Sequence, residues 1–366
     1  MSNDAFLEDG ISRALDTVKA GRLDRRHFLG LIAGLGAATA LGSGRIAYAA
    51  DKALTVANFG GDAVKAFEEA WTKPFSAASG ASIKIDGAGP LPGNIKKMVE
   101  EKNVVWDVSD GDGFYALQLG KAGLLEPIDY KVVKKDDLYD WNAYDYGVGN
   151  YVYSYVLAYR KSKYPTPPKS WADFLDTEKF PGKRTMWKWF MGMPEPLLLG
   201  AGVPKDKLYP IDMKTVVAGV KKLGKNLVLW DSGGSSQQLF LDKEVDMGVI
   251  WHTRASVLEK DTGGDVTWTW ADHILTPGSW VVPKGGKNVA LAMQFIASTQ
   301  DPKEQVKLLD MLGNGPANPK ATSLLTEAQK RLNPTSHLDT AVIRSEKWYA
   351  ESYDDALNTW LDAIAS

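Results

Sequence analysis

From residue 54 onward, short apolar runs of strand character alternate with longer stretches of helical periodicity, and this alternation constrains the fold more than any other feature. Leu54 to Ala57 reads as a strand, which Asn58-Phe59-Gly60-Gly61 breaks. A helix follows with Val64, Phe67, Trp71 and Phe75 on one face, because residues three and four apart stack on a helix surface. Ile83 and Ile85 alternate with polar residues, a short charged helix is expected over 94–102, and an apolar strand over 104–108. The glycine-rich segment Ser109 to Gly113 reads as a loop before a helix over 114–121. A β-α-β-α order of this kind predicts a parallel sheet with helices on its faces.

The pattern restarts after an alternating strand, Tyr151 to Tyr159, and a proline-rich boundary over 165–168. The second series holds a helix over 213–223, a strand over 227–229, a helix near 237–241 and a strand over 247–251. A strand over 279–282 precedes helices over 289–298 and 302–312. The last long helix, about 345–364, presents Trp348, Tyr349, Ala356, Trp360 and Ile364 as its apolar face. The expectation is two α/β lobes of similar size, with any ligand held between them at strand C-terminal ends.

The N-terminal region carries an address. Arg25-Arg26 is followed by Phe28-Leu29, a weakly apolar run to Leu41, and Ala47-Tyr48-Ala49-Ala50. Paired arginines, a short apolar run and a small-residue cleavage pattern predict a twin-arginine (Tat) signal peptide over 1–49, cut near Ala49/Ala50. The apolar run is too short and glycine-rich to span a bilayer, which takes about 20 apolar residues. A soluble periplasmic protein is therefore expected, with the Tat translocase as a partner during export. With 43 basic and 45 acidic residues and no basic run after the leader, nucleic acid is not an expected partner. The chain has no cysteine, which excludes disulfides and thiolate chemistry. Thirteen tryptophans direct attention to a ligand cleft as well as to the core.

Six segments in order resemble the periplasmic solute-binding proteins of ABC importers, specifically the spermidine/putrescine-binding family. They are Asn58-Phe59, then Trp106-Asp107-Val108 with Phe114-Tyr115 and the helix end Lys121 to Leu125, then Ser170 to Phe174, Gly248 to Trp251, Trp280 to Pro283, and Asn314 to Asn318. The resemblance covers most of the chain after the leader. It implies the type II periplasmic-binding-protein fold, two α/β lobes joined by hinge strands that close on one small solute. By this reading residues 50–159 plus 277–322 form lobe 1 and 160–276 plus 323–366 form lobe 2. It further implies a monomer that delivers its solute to an ABC permease in the inner membrane, without a cofactor or metal.

The family's cleft positions fall on particular residues here. Phe59 stands where polyamine binders carry an aromatic residue, or else it staples the following helix. At the cleft edge the family has a small hydroxyl residue and then an aromatic; this chain has Asp112 and Phe114. A carboxylate there suits an ammonium group, unless Asp112 only shapes a turn. After Gly182 the polyamine binders offer acids, whereas this chain has Trp187 and Trp189, either of which suits a cation–π wall or the core. Trp251 matches a cleft tryptophan. Arg254 replaces a small uncharged residue with a planar fork suited to a carboxylate, or serves a structural ion pair. Gly278 stands where an amine-binding Asp is expected. These departures point from a polyamine toward a small charged solute such as an ω-amino acid of the γ-aminobutyrate type, with polyamine binding as the alternative.

Competing classes find less support. His252, His273 and His337 lack metal-ligand spacing, and His252, beside Trp251, is expected either behind the ligand-contacting residues or at the surface. Ser232-Gly233-Gly234-Ser235-Ser236 is not a nucleophile elbow; a Gly/Ser loop before a helix supplies N–H groups to an anion or caps the helix. Asp110 and Asp112, two residues apart on one segment, are poorly placed to flank a glycosidic bond, so an exported hydrolase ranks lower.

Overall fold

Residues 52–365 are described by the structure, a computed structural model; the readings of the signal peptide and its cleavage site lie outside them. The chain begins with β1 (Ala53–Ala57), which pairs in parallel with β2 (Ser82–Asp86) on one side and β3 (Val108–Asp112) on the other. Between β1 and β2 run α1 (Asp62–Phe67), a π-helical turn (Glu68–Thr72) and α2 (Lys73–Ser79). Phe67, Trp71 and Phe75 are buried as the spacing predicts, and the rings of Phe67 and Trp71 meet Trp280 edge-on at 5.5 and 5.3 Å. Helices α3 (Pro92–Glu100) and α4 (Gly113–Lys121) follow β2 and β3.

The long strand β4 (Gly147–Arg160) opens the second series. It continues through α5 (Trp171–Leu175), β5 (Arg184–Trp187), α6 (Pro194–Gly200), α7 (Met213–Leu223), β6 (Leu227–Trp230), α8 (Gly233–Leu241), β7 (Met247–Trp251) and α9 (His252–Asp261). The chain returns through β8 (Val266–Val281), α10 (Val289–Ser298) and α11 (Pro302–Leu312), and ends in α12 (Glu327–Leu332) and α13 (Glu346–Ala365). The strands form one mixed sheet in the order β2-β1-β3-β8-β4-β7-β5-β6. Three parallel strands lie at one end and three at the other. The antiparallel pair β4 and β8 joins them: β8 pairs with β3 from Gly278 to Val281, and β4 pairs with β7 from Tyr155 to Tyr159.

The fold departs from the sequence reading at β3. The strand expected over 104–108 starts only at Val108 and runs on through the segment read as a loop. Ser109 pairs with Val281 and Asp112 with Gly278, so the partner strand overrides the turn composition. Asp110 does not break the strand because Asn150, Tyr151 and the Gly111 N–H all donate to its carboxylate. The strand expected over 279–282 is the end of the 16-residue β8. On α13, Tyr349, Ala356 and Trp360 are buried; the helix packs on both α4 and α7, and Trp360 Nε1 donates to the Lys188 carbonyl at 2.9 Å.

Candidate functional site

Residues near the C-terminal ends of β1, β3, β5, β6 and β7 supply the candidate side chains: Phe59, Asp112, Trp187, Trp230 and Trp251. Strand ends are where open α/β sheets present side chains to ligands, since the following turns leave a crevice. Three local groups can be distinguished.

The first is acidic and buried. Arg344, on the segment before α13, makes a bidentate pair with Glu346, Nε to Oε1 at 2.7 Å and Nη2 to Oε2 at 2.9 Å. Its Nη1 also reaches Asp112 Oδ2 at 3.2 Å. Tyr153 donates its hydroxyl to Asp112 Oδ1 at 2.9 Å. The Phe114 N–H, in the first turn of α4, donates to Glu346 Oε2 at 2.6 Å, so an anion from a distant segment satisfies that helix N-terminus. Burial pushes Glu346 up to about 7 despite its arginine partner. Burial works against the charged form of Arg344, but Asp112 and then Glu346 hold it well above its ordinary value. Asp112 is thus a partner of Arg344 rather than a solvated turn carboxylate. Phe114 is fully buried, with its ring 4.9 Å from Tyr115 and 5.1 Å from Tyr353.

The second group is aromatic. Trp187 and Trp230 stack at 5.3 Å with 13° between planes. Trp251 stands edge-on to both, at 5.4 and 5.0 Å. Tyr153 meets Trp251 at 89° and lies 5.7 Å from Tyr155, so it links the acidic group to the tryptophans. The Tyr155 hydroxyl and the Trp251 indole N–H are buried close to each other, and among the described residues neither makes a hydrogen bond of good geometry. Trp189 stays outside this group: it has no ring contact with it, and Lys188 Nζ lies over its ring at 5.2 Å. Phe59 is 44% exposed, which discounts its reading as a staple under the following helix.

The third group surrounds Arg254, in the first turn of α9. Its side chain is 22% exposed, its Nε is buried without a partner, and Nη1 lies 3.5 Å from Asp62. A Cβ at Gly233 would stand 2.5 Å from Nε, so only glycine lets the guanidinium rest on the first turn of α8. Ser232 caps that helix, its Oγ accepting from the Ser235 N–H at 3.2 Å. Gly233 and Gly234 begin the helix, so their N–H groups have no acceptor within it.

Two residues singled out from the sequence find their surroundings here. His252 is fully buried: its Nδ1 accepts from the Ser154 N–H at 3.1 Å, its Nε2 lies 2.7 Å from the Gly313 carbonyl, and burial pushes it down to about 4. Gly278 reflects packing, because a Cβ there would fall 2.5 Å from Asn150 Oδ1. The sequence reading also missed several members. Trp230 was one residue beyond the strand read over 227–229, and Tyr153 lay within the alternation of the 151–159 strand. Asp62, Arg344 and Glu346 carry no local signal, since the contacts that tie them to these groups, with Arg254, Asp112 and the Phe114 N–H, are remote in sequence.

Residues 63–332, more than half of the chain, match the family described as bacterial extracellular solute-binding protein. The chain belongs to that family. This solute-binding protein is 29% identical over 325 residues to the gamma-aminobutyric acid-binding protein of Pseudomonas aeruginosa, covering 86% of this chain and 92% of that one. It superposes on the Atu4243–GABA receptor structure with a TM-score of 0.81 at 34% identity, covering 86% of this chain and 98% of the other. It likewise resembles the Agrobacterium binding protein AgtB in complex with agropinic acid, with a TM-score of 0.77 at 29% identity over 86% and 99% of the two chains. The mixed α/β fold of this solute-binding protein is thus that of the type II periplasmic binding proteins. Its role is that of the substrate-binding component of an ABC importer.

Proposed function

We propose that this protein captures a small zwitterion of the ω-amino-acid type, with γ-aminobutyrate as the first candidate. The observation that carries this reading is Arg254, whose unpartnered Nε rests on the first turn of α8. A guanidinium beside free helix N-terminal N–H groups is suited to a carboxylate. The ligand's methylenes would lie on Trp187, Trp251 and Phe59, and its ammonium would use the tryptophan faces. The Tyr153 oxygen would accept from that ammonium, because its own proton is committed to Asp112. Asp112 therefore acts through Tyr153, while Phe114 and Trp189 serve packing. The names of the Pseudomonas and Atu4243 relatives agree with this ligand class.

In this reading residues 50–159 plus 277–322 and residues 160–276 plus 323–366 are lobes that close about β4 and β8. The two sets of parallel strands on either side of that antiparallel pair support the division. Ligand contacts from both lobes would stabilise the closed form presented to the permease, leaving the solute chemically unchanged. The twin-arginine leader, cut near Ala49/Ala50, would deliver the chain to the periplasm as a monomer. Calorimetry with γ-aminobutyrate, putrescine, spermidine and simple carboxylates tests the ligand class. Stoichiometric γ-aminobutyrate binding is expected; strong putrescine or spermidine binding without it would favour the polyamine alternative.

A further inference from the structure

A cavity of about 490 Å³ opens where the π-helical turn and α2 meet the segment around Val132 and the start of α11. None of the strand-end residues described above lines it. Trp71, Phe75 and Val132 give it an apolar wall. Trp71 is buried, yet its indole N–H has no partner among the described residues. Glu304 Oε2 on the same cavity is also buried and accepts no hydrogen bond; its nearest cation, Lys307, is 3.9 Å away. Buried polar atoms are almost always satisfied, so two unsatisfied atoms of opposite hydrogen-bonding sense on one cavity call for a partner. Trp71 also sits on the π-helical turn, a backbone irregularity frequent at functional sites. The charges around it are mixed: Asp301 and Glu304 stand with Lys134 and Lys307, and Asp137 is engaged by Lys320, so the cavity's unmet need is the Glu304 acceptor that Lys307 leaves without a hydrogen bond.

We infer that this cavity is a second binding site, for a small organic cation that also carries a hydrogen-bond-accepting oxygen. The cationic group pairs with Glu304, the oxygen accepts the Trp71 N–H, and the aliphatic part lies on the Trp71 and Phe75 rings. The inference is independent of the solute proposed for the strand-end site.

The test is a titration of the ¹⁵N-labelled protein with L-argininamide, which has a guanidinium and an amide oxygen but no carboxylate for Arg254. The indole N–H resonances report on the tryptophans individually. One of them is expected to shift saturably, with a dissociation constant of about 1 mM or below. That resonance is absent from Trp71→Phe, persists under excess γ-aminobutyrate, and shifts at least ~10-fold less readily in Glu304→Gln. If Trp71→Phe fails to fold, Glu304→Gln decides, with its other indole resonances confirming the fold. No indole shift up to about 20 mM, a shift displaced by γ-aminobutyrate, or one unchanged in Glu304→Gln would overturn the inference.

Discussion

Arg254 Nη1 lies 3.5 Å from Asp62 Oδ2, so a single ion pair joins the start of α1 to the first turn of α9. The two partners differ in environment. Asp62 is 82% exposed, whereas Arg254 is 22% exposed and keeps a buried, unpartnered Nε. An exposed ion pair of this kind is worth about 0–1 kcal/mol, far less than a desolvated carboxylate–arginine contact.

Arg254→Ala is therefore expected to weaken γ-aminobutyrate binding by about 2–5 kcal/mol, while Asp62→Ala changes affinity by less than about fivefold. Calorimetry on the two variants separates the roles. A large loss with Asp62→Ala and none with Arg254→Ala would make the aspartate the ligand contact and end the carboxylate reading.

Gly233→Ala tests the same subsite without removing a charge. The new methyl would lie 2.5 Å from Arg254 Nε and push the guanidinium off the first turn of α8. Alanine is a better helix residue than glycine, so the helix itself should not suffer. The expected result is at least ~10-fold weaker binding, about 1.4 kcal/mol, with the melting temperature nearly unchanged. Full retention of affinity would show that the guanidinium does not need that position.

The dependence of stability on pH follows from four buried groups. Burial pushes His252 and His273 down to about 4, and pushes Asp110 and Glu346 up to about 7. The histidines contribute stability that is fully present above their ordinary value of 6.5 and is lost as pH falls toward 4. The carboxyls behave oppositely: their contribution is present below their ordinary values and is lost as pH rises through about 7. These slopes oppose one another across one window. Asp110→Asn removes one carboxyl slope and should make the variant lose stability more steeply than the wild type on acidification from about pH 7 to about pH 4. Urea midpoints measured across that range check it; parallel curves for the two proteins would refute it.

Much of the scaffold was legible because its segments repeat one local rule. The limits of α7, β7, α10 and α11 follow from periodicity and from Gly or Pro punctuation. Of the proposed site residues, Trp187 and Trp251 end strands and Arg254 lies in the first helical turn after one, positions that a local reading reaches. Asp112 was found but its surroundings were not, since Arg344 lies 232 residues away and carries no local pattern. The segment around Asp110 misled for a related reason: glycine and aspartate favour turns in isolation, but hydrogen bonds from Asn150 and Tyr151 make them tolerable inside a strand. Long-range pairing decides such positions, and composition does not record it.

The tryptophans provide a final discrimination, because two of them were equal candidates by sequence. Trp187 belongs to the stacked group with Trp230 and Trp251, while Trp189 points its ring contact toward Lys188 outside that group. Trp251 is half-buried, whereas Trp187 and Trp230 are buried, and it is therefore the member best suited to touch a ligand without being a pillar of the core. Trp251→Ala should weaken γ-aminobutyrate binding about tenfold or more through the lost wall and cation–π contact, and Trp189→Ala should change it less than about twofold. Trp230→Ala, by contrast, removes a fully buried ring and should cost about 3–5 kcal/mol of stability. Calorimetry combined with urea unfolding distinguishes the three. Equal binding losses for Trp189→Ala and Trp251→Ala would place the ligand on a wall other than the Trp187–Trp230–Trp251 group.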